Sequence, residues 1–250
     1  MAIACKAAFT GKGKAIAAGR EARPLPCLHC PVKAFNVCKP LEYDRQKELF
    51  EIGVQQTWRQ RQSLFRAGDP LGAVFKIISG IVAVSERLAD GRRQILDFFL
   101  PGEVCGFLQT DGKYSFDGEA ITDVKTCSFD RRRFDSFAAS HHDVAEAVKT
   151  ALEEKLQQVS HHMAAVGQLT STERVAHFLC KLSITYSEHE MQTRPLLLPM
   201  KRTDIADYLG LRLETVSRAF SKLKSRGILE FEDDEIVIHD PTRLAHLSGL

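Results

Sequence analysis

Five turn signals fall at nearly even spacing between residues 60 and 135: Gly68-Asp69, Ser79-Gly80, Asp90-Gly91, Pro101-Gly102 and Asp111-Gly112. The glycines stand 12, 11, 11 and 10 residues apart. A chain made to turn this often has no room for helices of ordinary length. The runs between the turns are rich in Val, Ile and Phe, as in Val74-Phe75-Lys76-Ile77-Ile78 and Gln94-Ile95-Leu96-Asp97-Phe98-Phe99. Short apolar strands at such spacing predict an antiparallel sandwich, roll or barrel. No side-chain signature repeats with the spacing, so the turns punctuate one domain and not an array of copies.

After residue 138 the period changes. Ser140 with Asp143 three residues on predicts a helix start. Leu152, Leu156, Val159, Met163 and Val166 follow in steps of 4, 3, 4 and 3, a heptad seam that Val144 and Val148 extend backwards. A long helix with so narrow a seam predicts pairing with a second copy of itself, a parallel homodimer. His141-His142 and His161-His162 flank it and read as solvated helix residues rather than as metal or pH-sensing groups. Thr170 and Glu173 form a capping-box pattern before a further helix carrying Val175, Phe178, Leu179 and Leu182.

The remaining third carries a sharper motif. Arg202 to Phe220 reads RTDIADYLGLRLETVSRAF. Thr203 is placed to cap a helix bearing Ile205, Ala206 and Leu209; Gly210 suits a tight turn; a second helix from near Leu213 turns Val216, Ala219, Phe220 and Leu223 inward. This is the helix-turn-helix pattern. Net charge is only +2, which excludes a basic coat, yet Arg212, Arg218, Lys222, Lys224 and Arg226 gather on the second helix against one acid, Glu214. Glu214, Ser217 and Arg218 share one face near its N-terminus, the end that enters a major groove. A carboxylate accepts from cytosine N4, a guanidinium donates twice to guanine, and a hydroxyl serves either kind of base edge. Arg212, Thr203 and Lys222 complete the expected DNA-facing set, with Arg212 suited to a phosphate. Ile228–Phe231 and Ile236–Ile238 predict a hairpin wing, and Asp240-Pro241 the start of a last short helix.

At 250 residues the chain is long enough for two ordinary domains, and 44% apolar with 26% charged residues is a globular balance. The longest apolar stretch, Ala73 to Val84, is broken by Lys76, Ser79 and Gly80, so no membrane span is expected. Seven cysteines, an odd number without a preceding secretory segment, point to a reducing cytoplasm rather than a disulfide framework. Three of them form a compact set, Cys27-x2-Cys30-x7-Cys38. Pro24, Pro26 and Pro31 keep this set out of a regular helix, and Lys33 and Lys39 favour thiolates. The first 26 residues read as a flexible tail. Cys5, Cys105 and Cys180 read as ordinary small apolar residues. A thiol oxidoreductase built on Cys27-x-x-Cys30 fits poorly, because such pairs open a helix after a strand. On the residues alone the sensor stays open between iron–sulfur, zinc, haem and a thiol switch.

A β-rich domain, a seam helix and a winged helix-turn-helix, in that order, resemble the Crp/Fnr superfamily of bacterial transcription regulators. The resemblance rests on LFRAGD (64–69), the Gly80 turn, LPGEVCGF (100–107), ERVAHFL (173–179) and DIADYLGLRLETVSRAF (204–220). It implies an α+β fold: an N-terminal antiparallel β-roll of the cyclic-nucleotide-binding kind, a long dimerisation helix and a C-terminal winged helix-turn-helix domain. The corresponding divisions are a tail and cluster-binding segment (1–45), the β-roll (46–138), the dimerisation helix (139–169) and the DNA-binding domain (170–250). Nucleotide-sensing members carry a cationic motif where this chain has Asp117-Gly118-Glu119-Ala120, so no cyclic nucleotide is expected. The resemblance is to the oxygen-sensing, Fnr-type proteins of α-proteobacteria, whose cysteine spacing the x7 interval matches. It implies a [4Fe–4S] cluster on Cys27, Cys30, Cys38 and Cys127. It further implies a cytoplasmic homodimer, not an enzyme, that reads TTGAT-like inverted repeats through Glu214, Ser217 and Arg218, contacts RNA polymerase and activates genes of low-oxygen metabolism. Relatives often have Thr or Ser where Arg212 stands.

Overall fold

The structure, a computed structural model, describes residues 26–189, 191, 193–232 and 234–249. Cys5 and most of the expected N-terminal tail lie outside these residues. Two short 3-10 turns, Pro26–His29 and Asn36–Cys38, precede α1 (Tyr43–Glu51). Ten strands follow: β1 (Gly53–Trp58), β2 (Ser63–Phe65), β3 (Ala73–Ser79), β4 (Val82–Arg87), β5 (Arg93–Phe99), β6 (Val104–Cys105), β7 (Gln109–Thr110), β8 (Lys113–Tyr114), β9 (Asp117–Ala120) and β10 (Val124–Asp130). They form two antiparallel four-stranded sheets, β1-β10-β3-β6 and β2-β9-β4-β5, with β7 and β8 as a separate hairpin. This is the roll that the resemblance implied, one of the three architectures the glycine spacing allowed. Gly80 shows why the turns are fixed: at φ +83° a Cβ there would meet the Asp123 carbonyl oxygen at 2.2 Å. Between the sheets Phe65, Phe75 and Tyr114 stack on one another, with Ile77, Val82, Val84 and Cys105 around them.

Helix α2 (Arg131–Ser140) is capped by Asp130, which accepts from the Arg133 N–H at 3.0 Å. Helix α3 (His142–Gln168) runs 27 residues. The expected helix start at Ser140 is corrected: Ser140 ends α2, and its hydroxyl donates to the Ser136 and Phe137 carbonyls. A serine hydroxyl satisfies a helix's last carbonyls as readily as another helix's first N–H groups, so the pattern alone does not say which.

Helix α4 (Ser171–Glu188) opens as expected, with the Thr170 N–H and hydroxyl both donating to Glu173 at 2.8 Å. Then come β11 (Leu196–Leu197), α5 (Arg202–Leu209), α6 (Leu213–Ser225), β12 (Leu229–Glu232), β13 (Glu235–Ile238) and α7 (Pro241–Ser248). β11, β13 and β12 make the three-stranded wing. One core joins the halves: Ile81, Ile95, Phe98, Leu100 and Ile121 of the roll pack with Val175, Phe178, Leu179, Tyr208 and Leu209. Among the described residues no helix is long and apolar enough to cross a membrane.

Candidate functional site

Two sites at opposite ends of the chain's chemistry can be built from these elements. The first is the exposed face of α6. Gly210, at φ +62° and left-handed, ends α5, and the Leu211 N–H bonds the Ala206 carbonyl at 3.0 Å. Val216, Ala219, Phe220 and Leu223 are buried beneath α6, which leaves Glu214, Ser217, Arg218 and Lys222 exposed above. Arg218 Nε donates to the Glu214 carbonyl at 3.3 Å, not to its carboxylate, so no ion pair consumes the two side chains. Arg212 is the helix N-cap, exposed and without a side-chain capping bond. Arg202 fixes the wing against this helix: its guanidinium lies 3.4 Å from the Phe220 ring centre and 4.5 Å from that of Phe231 on β12.

The expected cap at Thr203 is corrected. Helix α5 already begins at Arg202, so Thr203 is exposed inside its first turn, and Asp204 accepts from the Lys201 N–H at 3.3 Å. Asp204 was missed as a structural residue. Its side chain is fully buried, with Arg61 NH2 at 2.8 Å and Arg93 NH2 at 2.5 Å, both reaching from the roll. Burial alone would raise its pKa, but the two guanidiniums outweigh that and hold the carboxylate below its ordinary 3.8. Glu119 pairs with the same arginines at 3.0 and 3.6 Å. The acids expected to repel a phosphate are thus spent on internal ion pairs, and the Phe65 ring fills the space beside Gly118.

The second site is the cysteine segment. It folds back over the outer face of the β1-β10-β3-β6 sheet. Val37 and Leu41 are buried there with Val74, Val104 and Phe129, and Cys38 and Cys127 pack against the same cluster. Cys127 on β10 stands opposite Gln55 of β1 and Lys76 of β3. Burial pushes the Cys127 thiol up to about 12, and the neighbouring Cys27, Cys38 and Cys30 push it the same way. Cys27 rises to about 11, again through burial and then through Cys38 and Cys30. The four cysteines expected as ligands therefore lie within one another's electrostatic reach, with the Lys76 ammonium acting against the rise at both. Among the described residues no three His, Cys, Asp or Glu side chains stand close enough together to hold a single metal ion. The donor set is all sulfur, which suits iron–sulfur or zinc chemistry.

Lys76 is only 1% exposed, and its Nζ donates to the Phe35 carbonyl at 2.7 Å. The signal for it in sequence was a lysine inside an otherwise apolar run. The Phe35 ring stacks on His189 with centroids 5.1 Å apart, and His189 Nδ1 lies 2.7 Å from the Pro101 carbonyl oxygen. The Asn36–Cys38 turn also touches α3. Cys105 is buried in the roll core and Cys180 is partly buried against the joint core, as expected of small apolar residues.

The seam on α3 is open. Leu152, Leu156, Val159 and Met163 are 43%, 68%, 44% and 71% exposed, far more than a helix packed on its own domain allows such residues. Val166 is half-buried instead, with its Cγ1 3.8 Å from where a Cβ on Gly210 would stand. His162 is not a solvated residue: its ring stacks on Tyr208 at 4.0 Å, and burial pushes its pKa down to about 4. The contrast with His161, which is exposed, comes from the face of α3 that meets α5.

Comparison with known proteins matches residues 173–247 to a Crp-like helix-turn-helix domain and residues 55–141 to a cyclic nucleotide-binding domain. The nitrogen fixation regulation protein FixK of Bradyrhizobium diazoefficiens is 30% identical over 223 residues, 89% of this chain and 94% of that protein. The anaerobic regulatory protein of Pasteurella multocida is 29% identical over 239 residues, 92% of this chain and 87% of that one. The solved structure of FixK2 from Bradyrhizobium japonicum superposes with a TM-score of 0.72 at 34% identity, covering 78% of this chain and 97% of that structure.

Proposed function

Because the chain belongs to the Crp/Fnr family of DNA-binding transcription regulators, not enzymes, we propose that it senses oxygen through a [4Fe–4S] cluster held by Cys27, Cys30, Cys38 and Cys127. The observation that carries the reading is the packing of the cysteine segment against the strand bearing Cys127, with Cys38 and Cys127 on one apolar cluster. When bound, the cluster would supply an oxygen-labile link between that segment and the roll. The chain's own residues do the rest. The Asn36–Cys38 turn touches α3, so the seating of the segment bears on the helix whose apolar seam awaits a second copy. Pairing along Leu152, Leu156, Val159, Met163 and Val166 would place two α6 helices for adjacent half-sites, one DNA turn apart. Glu214, Ser217 and Arg218 would then read a TTGAT-like inverted repeat, with Arg212, Thr203 and Lys222 towards the phosphates. Released from the seam, a single α6 would bind weakly. The names of relatives, nitrogen fixation regulation and anaerobic regulation, favour activation of low-oxygen genes through contact with RNA polymerase.

The test is the visible spectrum of protein purified without oxygen, recorded before and after admitting air. A brown protein that bleaches in air is the expected result. A protein that stays colourless after anaerobic reconstitution with iron and sulfide would sink the cluster and leave the DNA-binding half standing; bound zinc would then be assayed.

A further inference from the structure

A lysine that is 1% exposed inside an apolar strand needs an explanation. Withdrawing an ammonium from water is costly unless an anion or several acceptors replace the lost hydration. An ammonium has three N–H donors. Here one bonds the neutral Phe35 carbonyl at 2.7 Å, and among the described residues no carboxylate forms an ion pair with the group. Lys155, a half-buried lysine, is held differently: it has Asp97 at 2.9 Å and Glu103 at 2.7 Å. Lys76 has a thiol as its neighbour across the sheet instead. It faces Cys127 across the β3–β10 pair, and its charge reaches Cys27. Four thiolates around a cluster of charge +2 would leave two negative charges in excess, partly buried beside this face of the sheet.

We propose that Lys76 is the counter-cation of the four-cysteine site. Its ammonium offsets the excess negative charge of the loaded site, and its bond to the Phe35 carbonyl holds the loop between Cys30 and Cys38 in place. This rests on the cluster reading above. It makes Lys76 a positioning residue with opposite effects on the two forms of the protein. Without cofactor, a buried and nearly unpartnered charge is a liability; with cofactor, it is a partner.

The experiment compares full-length wild type, Lys76→Met and Lys76→Arg, each reconstituted anaerobically with iron and sulfide. Thermal unfolding of the cofactor-free forms is measured alongside. Lys76→Met should keep or raise the cofactor-free Tm, because an apolar chain of similar length replaces a charge. In the loaded form the same variant should lose its visible absorbance to an iron chelator about 10–100-fold faster, the usual effect of removing an outer partner of a metal site. Its midpoint potential should fall, since reduction adds negative charge that no cation now offsets. Lys76→Arg should stay near wild type in both. Wild-type rates and potential in Lys76→Met would overturn the inference and leave the cluster reading intact. So would a cofactor-free Tm that drops, or a variant that does not fold, because either makes Lys76 a plain structural residue. Wild type that takes up no iron would overturn both.

Discussion

Single residues divide here by whether their role is local. Arg218 is exposed, unpaired with Glu214 and set in the N-terminal half of α6, the end proposed to enter the groove. Arg218→Ala should weaken binding to the specific operator by about 1–3 kcal/mol and relax discrimination at one base pair. Lys222→Ala should instead weaken all sequences alike and reduce the salt slope by about one. Titrating binding against matched and mismatched duplexes at several salt concentrations separates the two. The exposed positions of both residues were legible because helix-turn-helix spacing and charge are written along one helix. Lys76 and Asp204 were not, because their partners stand 41 and 143 residues away, Phe35 and Arg61. His162 carries a pH consequence of its own. Its folded pKa, about 4, lies below the ordinary 6.5, so the neutral ring favours the fold. That contribution is whole above pH 6.5 and is lost as pH falls towards 4. Unfolding midpoints of wild type and His162→Gln should therefore diverge most at neutral pH and converge in acid.

At the scale of elements, the change of period after residue 138 announced both the roll and α3. What it could not fix was where α2 ends, since Ser140 bonds backwards as readily as forwards. Nor could it show that Val166 is half-buried beside Gly210 while the seam residues before it are exposed, because a heptad records spacing and not what approaches from outside. Val159 gives the clean test of α3. It is 44% exposed in the single chain, so Val159→Asp should change monomer stability by no more than about 0.5 kcal/mol. In a paired helix it would set two carboxylates on the seam. Sedimentation should show dimer for anaerobic wild type and monomer for the variant. An unchanged dimer would mean that the seam is misplaced.

At the scale of the whole molecule, the halves share one core and one ion cluster. The joint core brings Phe98 of the roll to Phe178 and Tyr208, while Arg61 and Arg93 grip Asp204. Asp204→Ala should cost about 1–3 kcal/mol and uncouple the two halves, seen as a single thermal transition broadening or splitting. Acid should act in the same direction. The carboxylate is held below 3.8, so its contribution is present above that pH and lost as pH falls through the lower, folded value. This docking of the helix-turn-helix half on the roll was the least legible part of the fold. Each half satisfies its own pattern, and a surface shared by two domains has no periodicity of its own.

The burial of Val37 and Leu41 has a consequence for how the molecule is made ready. Both sit in the cluster under the cysteine loop, Val37 with no exposure at all. In small zinc domains the ligands find one another only as the metal arrives, and assembly and folding are the same event. Here side chains between and beside the cysteines already pin the loop to the sheet by hydrophobic contact. On the cluster reading proposed above, maturation would be the loading of a waiting receptacle, and newly made chains would accumulate as a folded stock whose entry into service is set by the supply of iron and sulfide.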